Sequence, residues 1–137
     1  MQINLVPRFT EDNAQELAES HDLIIDGCDN FATRFLIADA SAASGTPEVF
    51  GFVLYYEGQV SVFVPGKGPI LRDLYPCPPH AESVPKSAVL GATAGIIGAM
   101  MATEAIKLIT GIGKPLIGVL AKYNALNNSL RHFNFGT

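Results

Sequence analysis

The stretch that most constrains this chain is Asp22-Leu23-Ile24-Ile25-Asp26-Gly27-Cys28-Asp29-Asn30, followed by Phe31-Ala32-Thr33-Arg34. Residues 23–26 are apolar up to the final aspartate and read as a short buried strand. Gly27 ends it, and two polar residues, Asp29 and Asn30, follow almost at once. Residues 31–43 then place Phe31, Phe35, Ala38 and Ala42 on one stripe, at spacings of four, three and four, which predicts a helix. Strand, turn and helix in this order belong to open α/β sheets, where ligands gather outside the carboxyl ends of the strands. Asp29 and Asn30 stand where the helix starts. Both residue types are favoured caps, and both suit a ligand contact, so spacing alone leaves the two roles open. Arg34, one turn in, is placed either to pair with Asp29 or Asn30 or to meet a phosphate.

The flanking sequence builds an α/β domain around this unit. Residues 2–6 read as a strand closed by Pro7. Thr10 is a good N-cap, with Glu11 and Asp12 favouring the first turn of a helix that runs to about Ser20. Strands on either side of a helix predict a parallel pair with a right-handed crossover. Gly45 and Pro47 stop the second helix. Residues 48–56 and 59–64 read as an antiparallel hairpin turning at Glu57-Gly58, with Val60, Val62 and Val64 alternating against Gln59, Ser61 and Phe63. Prolines at 65, 69, 76, 78, 79 and 85 predict a flexible crossover loop over residues 65–86. Residues 87–110 are the longest apolar segment, with charges only at Glu104 and Lys107. They predict a long buried helix whose Gly91, Gly95 and Gly98 let other backbone approach. A membrane span is the competing reading, and the lack of a flanking basic cluster disfavours it. Residues 118–123 and 129–135 read as two further strands around Asn127-Asn128. The expected fold is one α/β domain over residues 1–137. It has a mixed sheet with parallel N-terminal strands, an antiparallel hairpin and a long buried helix.

Composition narrows the function classes. Net charge is −4 and no basic run exists, which argues against nucleic acid as a partner. The two cysteines, Cys28 and Cys77, form no CxxC, so neither a disulfide framework nor a cysteine-based zinc site is expected. Residues 1–8 lack the features of a signal peptide, and a cytoplasmic setting is the expectation. His21, His80 and His132 are too scattered to suggest a metal site. Cys28, following a buried strand, reads as a packed thiol. Cys77, beside His80 in the proline-rich loop, is a candidate for an exposed reactive thiol. Glu104 and Lys107, one helical turn apart, read as an ion pair. Hydrophobic residues make up 48% and charged residues only 16%, a balance that suggests buried strands, an oligomer interface or a piece of a larger body.

Five ordered motifs resemble the ThiF/MoeB/HesA family, relatives of the ubiquitin-activating enzymes. They are Asp26-Gly27-Cys28-Asp29-Asn30 with Arg34; Glu57-Gly58-Gln59-Val60-Ser61-Val62-Phe63; Leu74-Tyr75-Pro76; the helix from Gly95-Ile96-Ile97-Gly98 to Glu104-Ala105-Ile106-Lys107; and Gly111-Ile112-Gly113-Lys114-Pro115. The resemblance implies a partial Rossmann-like ThiF-type fold. It also implies an ATP- and Mg²⁺-dependent adenylyltransferase that activates the C-terminal glycine of a ubiquitin-like sulfur carrier, in thiamin or molybdopterin synthesis. By that match Asp29 and Arg34 are the catalytic residues, Asp29 and Asn30 contact the nucleotide, and Asp29 holds Mg²⁺. The chemistry is consistent, since a carboxylate at a strand end can hold Mg²⁺ against phosphates.

Departures from the family pattern are as informative. No GxGxxG phosphate loop is present, so the chain is expected to be the later half of the family domain and inactive alone. Ile70 and Asp73 stand where a zinc CxxC is common, and residues 134–137 supply no second pair, so zinc is not expected. Val84 occupies the place of a frequent thiol nucleophile, and Lys86 replaces a common acidic residue. A thioester or persulfide step at that place is therefore not expected. Two readings follow: the carrier-facing half of an adenylyltransferase, or a non-catalytic dimerisation or carrier-binding module of the same fold. Exposed sheet edge and apolar faces predict a homodimer, or else poor solubility, in either case. A fragment of a nicotinamide-binding Rossmann protein fits the hairpin and the long glycine-bearing helix less well.

Overall fold

The computed structural model describes residues 1–6, 8–78 and 88–136. Five strands form one sheet in the order β1 (Ile24–Asp26), β2 (Glu48–Leu54), β3 (Glu57–Phe63), β4 (Val119–Asn124) and β5 (Ser129–Asn134). β1 and β2 are parallel, with Ile24 opposite Glu48 and Asp26 opposite Phe50, and every other pair is antiparallel. The mixed sheet is therefore the expected one. The parallel part is smaller than predicted, because residues 2–6 form no strand. Ile3 and Leu5 are exposed, and nothing pairs the backbone of this segment within the sheet. A strand without a partner leaves its peptide groups to water and gains nothing from extension.

Helices cover both faces. On one side lie α1 (Ala14–Glu19), α2 (Phe31–Ser44) and the single turn α3 (Leu71–Leu74). On the other, α4 (Gly91–Thr110) packs on β2 and β3. α1 starts later than predicted: Asn13 stands at its N-cap, and Thr10 opens the preceding turn by accepting the Ala14 N–H through its carbonyl. α2 ends at Gly45 in the left-handed conformation, with φ 78°, as its composition predicts.

The hairpin turn sits two residues earlier than predicted, at Tyr55-Tyr56, because Leu54 pairs with Glu57 and Val53 with Gly58. Tyr55 takes φ 54° and is tied to the segment before α4, donating to the Ala88 carbonyl and accepting from the Leu90 N–H. Gly58 serves packing instead of turning. A Cβ there would stand 2.2 Å from Cγ1 of Ile97, and one on Gly51 2.1 Å from Sδ of Met101. These two glycines let α4 settle on the sheet, over a core of Val49, Val60, Val62, Val64, Ile97, Met101 and Ala105. The other face closes on Ala38, Phe50, Phe63 and Leu71.

Within residues 65–86, α3 is an ordered element. Its Leu71 is fully buried, and the Asp73 carboxylate accepts the Ile70 N–H at 2.8 Å. Residues 79–86 of that predicted loop, including His80, Val84 and Lys86, lie outside the described residues. α4 is buried along one stripe of Thr93, Ile97, Met101, Glu104 and Ala105, while Ile106 and Ile109 are exposed. By length and composition α4 alone, among the described residues, is long and apolar enough to cross a membrane, and here it forms the outer layer of the sheet.

Candidate functional site

The carboxyl end of β1 and the strand beside it carry a dense polar arrangement. Asp26 closes β1 and is fully buried; Arg34 rises from the first turn of α2 and is 2% exposed. Arg34 Nη1 donates to Asp26 Oδ2 at 2.9 Å and to the Gly51 carbonyl at 2.7 Å, and Nη2 donates to the Cys28 carbonyl at 2.7 Å. Asp26 Oδ1 accepts the Cys28 N–H at 3.0 Å. The guanidinium lies over the Phe50 ring at 4.8 Å, with Phe52 and Phe31 beside it. One cation thus joins β1, the turn that follows and β2, and the aromatic faces exclude water from it. The sequence left Arg34 either to pair with Asp29 or Asn30 or to meet a phosphate; its partner here is Asp26, because the side chain runs inward beneath the turn.

Above this clamp sit the two residues singled out from the sequence. Asn30 is the N-cap of α2: its Oδ1 accepts the Thr33 N–H at 2.8 Å, in extended backbone. Its Nδ2 donates to Asp29 Oδ1 at 3.3 Å. Asp29 itself is exposed, and among the described residues Asn30 is its only hydrogen-bond partner. It lines the mouth of a cavity of about 300 Å³ between the β1–α2 turn, the end of β2 and the amino half of α4. Gly27, Cys28, Arg34, Phe52 and Ile97 help to form the walls. So the cap and the outward-facing carboxylate are two neighbouring residues, each with its own geometry.

Cys28 is half-buried in the same wall. Burial pushes its thiol up to about 12, with the hydrogen bond and charge of Asp26 adding to the rise, and Arg34 and the Asn30 backbone opposing it. It stays protonated at neutral pH and packs, as its position after a buried strand predicts. Cys77 is exposed, and both cysteines are free thiols. Glu104 pairs with Lys107 and accepts the Leu116 N–H at 2.9 Å, which ties α4 to the approach of β4. His21 bonds back to the Leu17 carbonyl, and His132 lies on β5, far along the sheet order from β1.

Two carboxylates escaped the sequence reading. Asp26 was read as a strand end, and its burial is signalled only by the apolar run that precedes it. Glu48 opens β2 and is 1% exposed, and among the described residues its Oε1 has no hydrogen-bond partner. A larger cavity, about 810 Å³, opens near the amino end of β1, beside His21, Asp22, Lys67 and Lys107. None of the predicted site residues reaches it. The smaller cavity lies where strand carboxyl ends and an unshielded acid coincide, and it is the better candidate.

Comparison with known proteins gives the family of the chain. The chain is 48% identical over 131 residues to a probable adenylyltransferase/sulfurtransferase MoeZ of Mycobacterium tuberculosis, covering 90% of this chain and 33% of the relative. It is 44% identical over 132 residues to a sulfur carrier protein adenylyltransferase of Thermus thermophilus, covering 90% of this chain and 49% of the relative. The chain thus spans between a third and a half of the length of these relatives. Solved structures of E. coli MccB share the fold. The complex with MccA-N7isoASN superposes with a TM-score of 0.81 at 14% identity, over 96% of this chain and 42% of MccB. The ATP complex gives 0.75 at 16% identity, over 93% and 41%. The ThiF family matches residues 2–137, nearly the whole sequence, and the chain belongs to that family.

Proposed function

We propose that this chain is the carrier-facing part of a cytoplasmic adenylyltransferase that uses Mg²⁺ and ATP to activate the C-terminal glycine of a ubiquitin-like sulfur carrier. In that reaction a carrier carboxylate oxygen attacks the α-phosphate of ATP, an acyl-adenylate forms, and pyrophosphate leaves. The observation that carries the reading is Asp29, an exposed carboxylate at the mouth of the strand-end cavity, fixed from behind by Asn30 and by the Arg34 clamp.

The residues present fit a metal that arrives with its nucleotide. Mg²⁺ keeps several waters and takes one or two carboxylates together with phosphate oxygens. A single exposed acid such as Asp29 suits that, and among the described residues no three His, Cys, Asp or Glu side chains gather into a self-sufficient metal site. Mg²⁺ would neutralise phosphate charge there. Asn30 orients Asp29 through its cap, and Arg34 acts as a positioning residue through Asp26 and the Cys28 carbonyl. The glycine-rich cradle of the proposed site is not among these 137 residues.

ATP–pyrophosphate exchange tests this, with the chain joined to the glycine-rich half of a ThiF-type domain and a carrier ending in Gly-Gly. Exchange should depend on the carrier, be absent for the chain alone, and fall by roughly 100-fold or more in Asp29→Asn, the range typical of losing one charge-stabilising group. Undiminished exchange in Asp29→Asn overturns the assignment. A second reading, a non-catalytic dimerisation or carrier-binding module, is favoured by the exposed Ile106 and Ile109 on α4 and by Leu130 and Phe133 on β5. An exchange-inactive chimera that still binds carrier or self-associates in light scattering supports that alternative.

A further inference from the structure

We infer that Glu48 is a buried proton-binding device that couples the strand pair beneath the candidate site to pH. The inference does not depend on the adenylyltransferase reading. Glu48 opens β2 opposite Ile24 of β1 and Phe63 of β3, so apolar side chains flank it in register on both sides. It is 1% exposed, and among the described residues its Oε1 meets no donor. The charged groups acting on it are Asp26 on β1 and Arg34 on α2. Arg34 is already committed: Nη1 to Asp26 and the Gly51 carbonyl, Nη2 to the Cys28 carbonyl. Two acids therefore share the influence of one cation, and the cation is bonded to only one of them. An ionised Glu48 would be a buried charge with no counter-ion of its own, beside a second negative charge. Holding a proton removes that conflict.

The direction of the coupling follows. Burial first, and the Asp26 charge second, raise the Glu48 carboxyl from its ordinary value of 4.5 to about 8, while Arg34 opposes the rise. The unfolded chain releases this proton near 4.5 and the native chain near 8. Between those values the native state holds one proton more, so the contribution of Glu48 to stability falls as pH rises and levels off above about 8. One proton corresponds to about a tenfold change in the folding equilibrium per pH unit. When Glu48 ionises, its charge competes with Asp26 for Arg34, and the joint between β1, the turn and β2 loosens.

Urea unfolding of the intact chain from pH 5 to pH 9 tests this, comparing wild type with Glu48→Gln and Glu48→Leu. Wild type should lose up to about tenfold in folding equilibrium per pH unit relative to either variant, with the curves running parallel above about pH 8. Wild-type and variant curves of the same slope between pH 5 and 8 overturn the inference. Infrared spectroscopy of the native wild type supplies a check that does not rely on the variants folding. A protonated-carboxyl band should persist at pH 6.5 and vanish near pH 9. Absence of that band at pH 6.5 also overturns it.

Discussion

The two layers covering the sheet solve the same packing problem in opposite ways. The α4 side is mostly aliphatic: Val49, Val60, Val62, Ile97 and Met101 meet there, Gly51 and Gly58 let the helix approach, and its buried acid, Glu104, has Lys107 as its own cation. The α2 side buries charge at its centre. Asp26, Arg34 and Glu48 are each nearly inaccessible, beside Ser41, which donates to the Thr46 carbonyl at 2.6 Å, and Thr46, which donates to the Ala18 carbonyl at 2.8 Å. An aliphatic layer tolerates small changes in volume but fixes little about which atom meets which. A buried ion pair is weak evidence of stability, because desolvation consumes most of the attraction, yet it is strict about geometry. The two layers meet at the candidate cavity: Ile97 and Met101 of α4 line it, and the Arg34 clamp holds the turn that carries Asp29.

Breaking the charged layer should cost most. Arg34→Met leaves Asp26 buried without its cation and is expected to destabilise the chain by ~3–5 kcal/mol in urea unfolding. Adding Asp26→Leu to Arg34→Met should recover much of that loss, because the orphaned charge is then gone. A double variant no better than Arg34→Met would mean that the guanidinium matters mainly through its carbonyl bonds and its aromatic stack. The aliphatic layer comes next. Gly58→Ala drives a methyl into Ile97 and should cost about 1–3 kcal/mol by overpacking, with partial rescue by Ile97→Val. Full tolerance of Gly58→Ala would show that α4 can shift, and that the two layers differ in rigidity more than in chemistry. The smallest effect belongs to the surface of the charged layer: Asn30→Ala removes the cap of α2 and should cost ~1 kcal/mol. In the exchange assay the same variant should leave part of the activity that Asp29→Asn removes, since it only slackens the carboxylate.

Much of this was legible beforehand, and the misses have physical causes. The Asp29–Asn30 pair and the helix after it follow from local rules, stripe spacing and cap chemistry, which do not need the rest of the fold. The turn of the hairpin was misplaced because Gly58 looks like a turn residue, whereas its lack of a side chain answers Ile97, 39 positions away. Residues 2–6 have strand composition, but pairing is a property of the neighbour and not of the segment. Asp26 and Asp29 could not be told apart by type. Only the path of Arg34, reaching to Gly51 seventeen residues on, decides which acid is neutralised and which faces outward. Glu48 was invisible because a glutamate at a strand start ordinarily points to water.

The brevity of β1 gives the Asp26–Arg34 pair a further consequence. Three residues make a ladder too short to index itself, and Ile25, on the opposite side of the strand, is half exposed. Sliding β1 by one position along β2 would turn Ile25 inward and carry Asp26 away from the guanidinium. The ion pair therefore works as an indexing pin. It makes the misaligned pairing electrostatically unfavourable, in a strand where hydrophobic pattern alone would scarcely distinguish the two alignments.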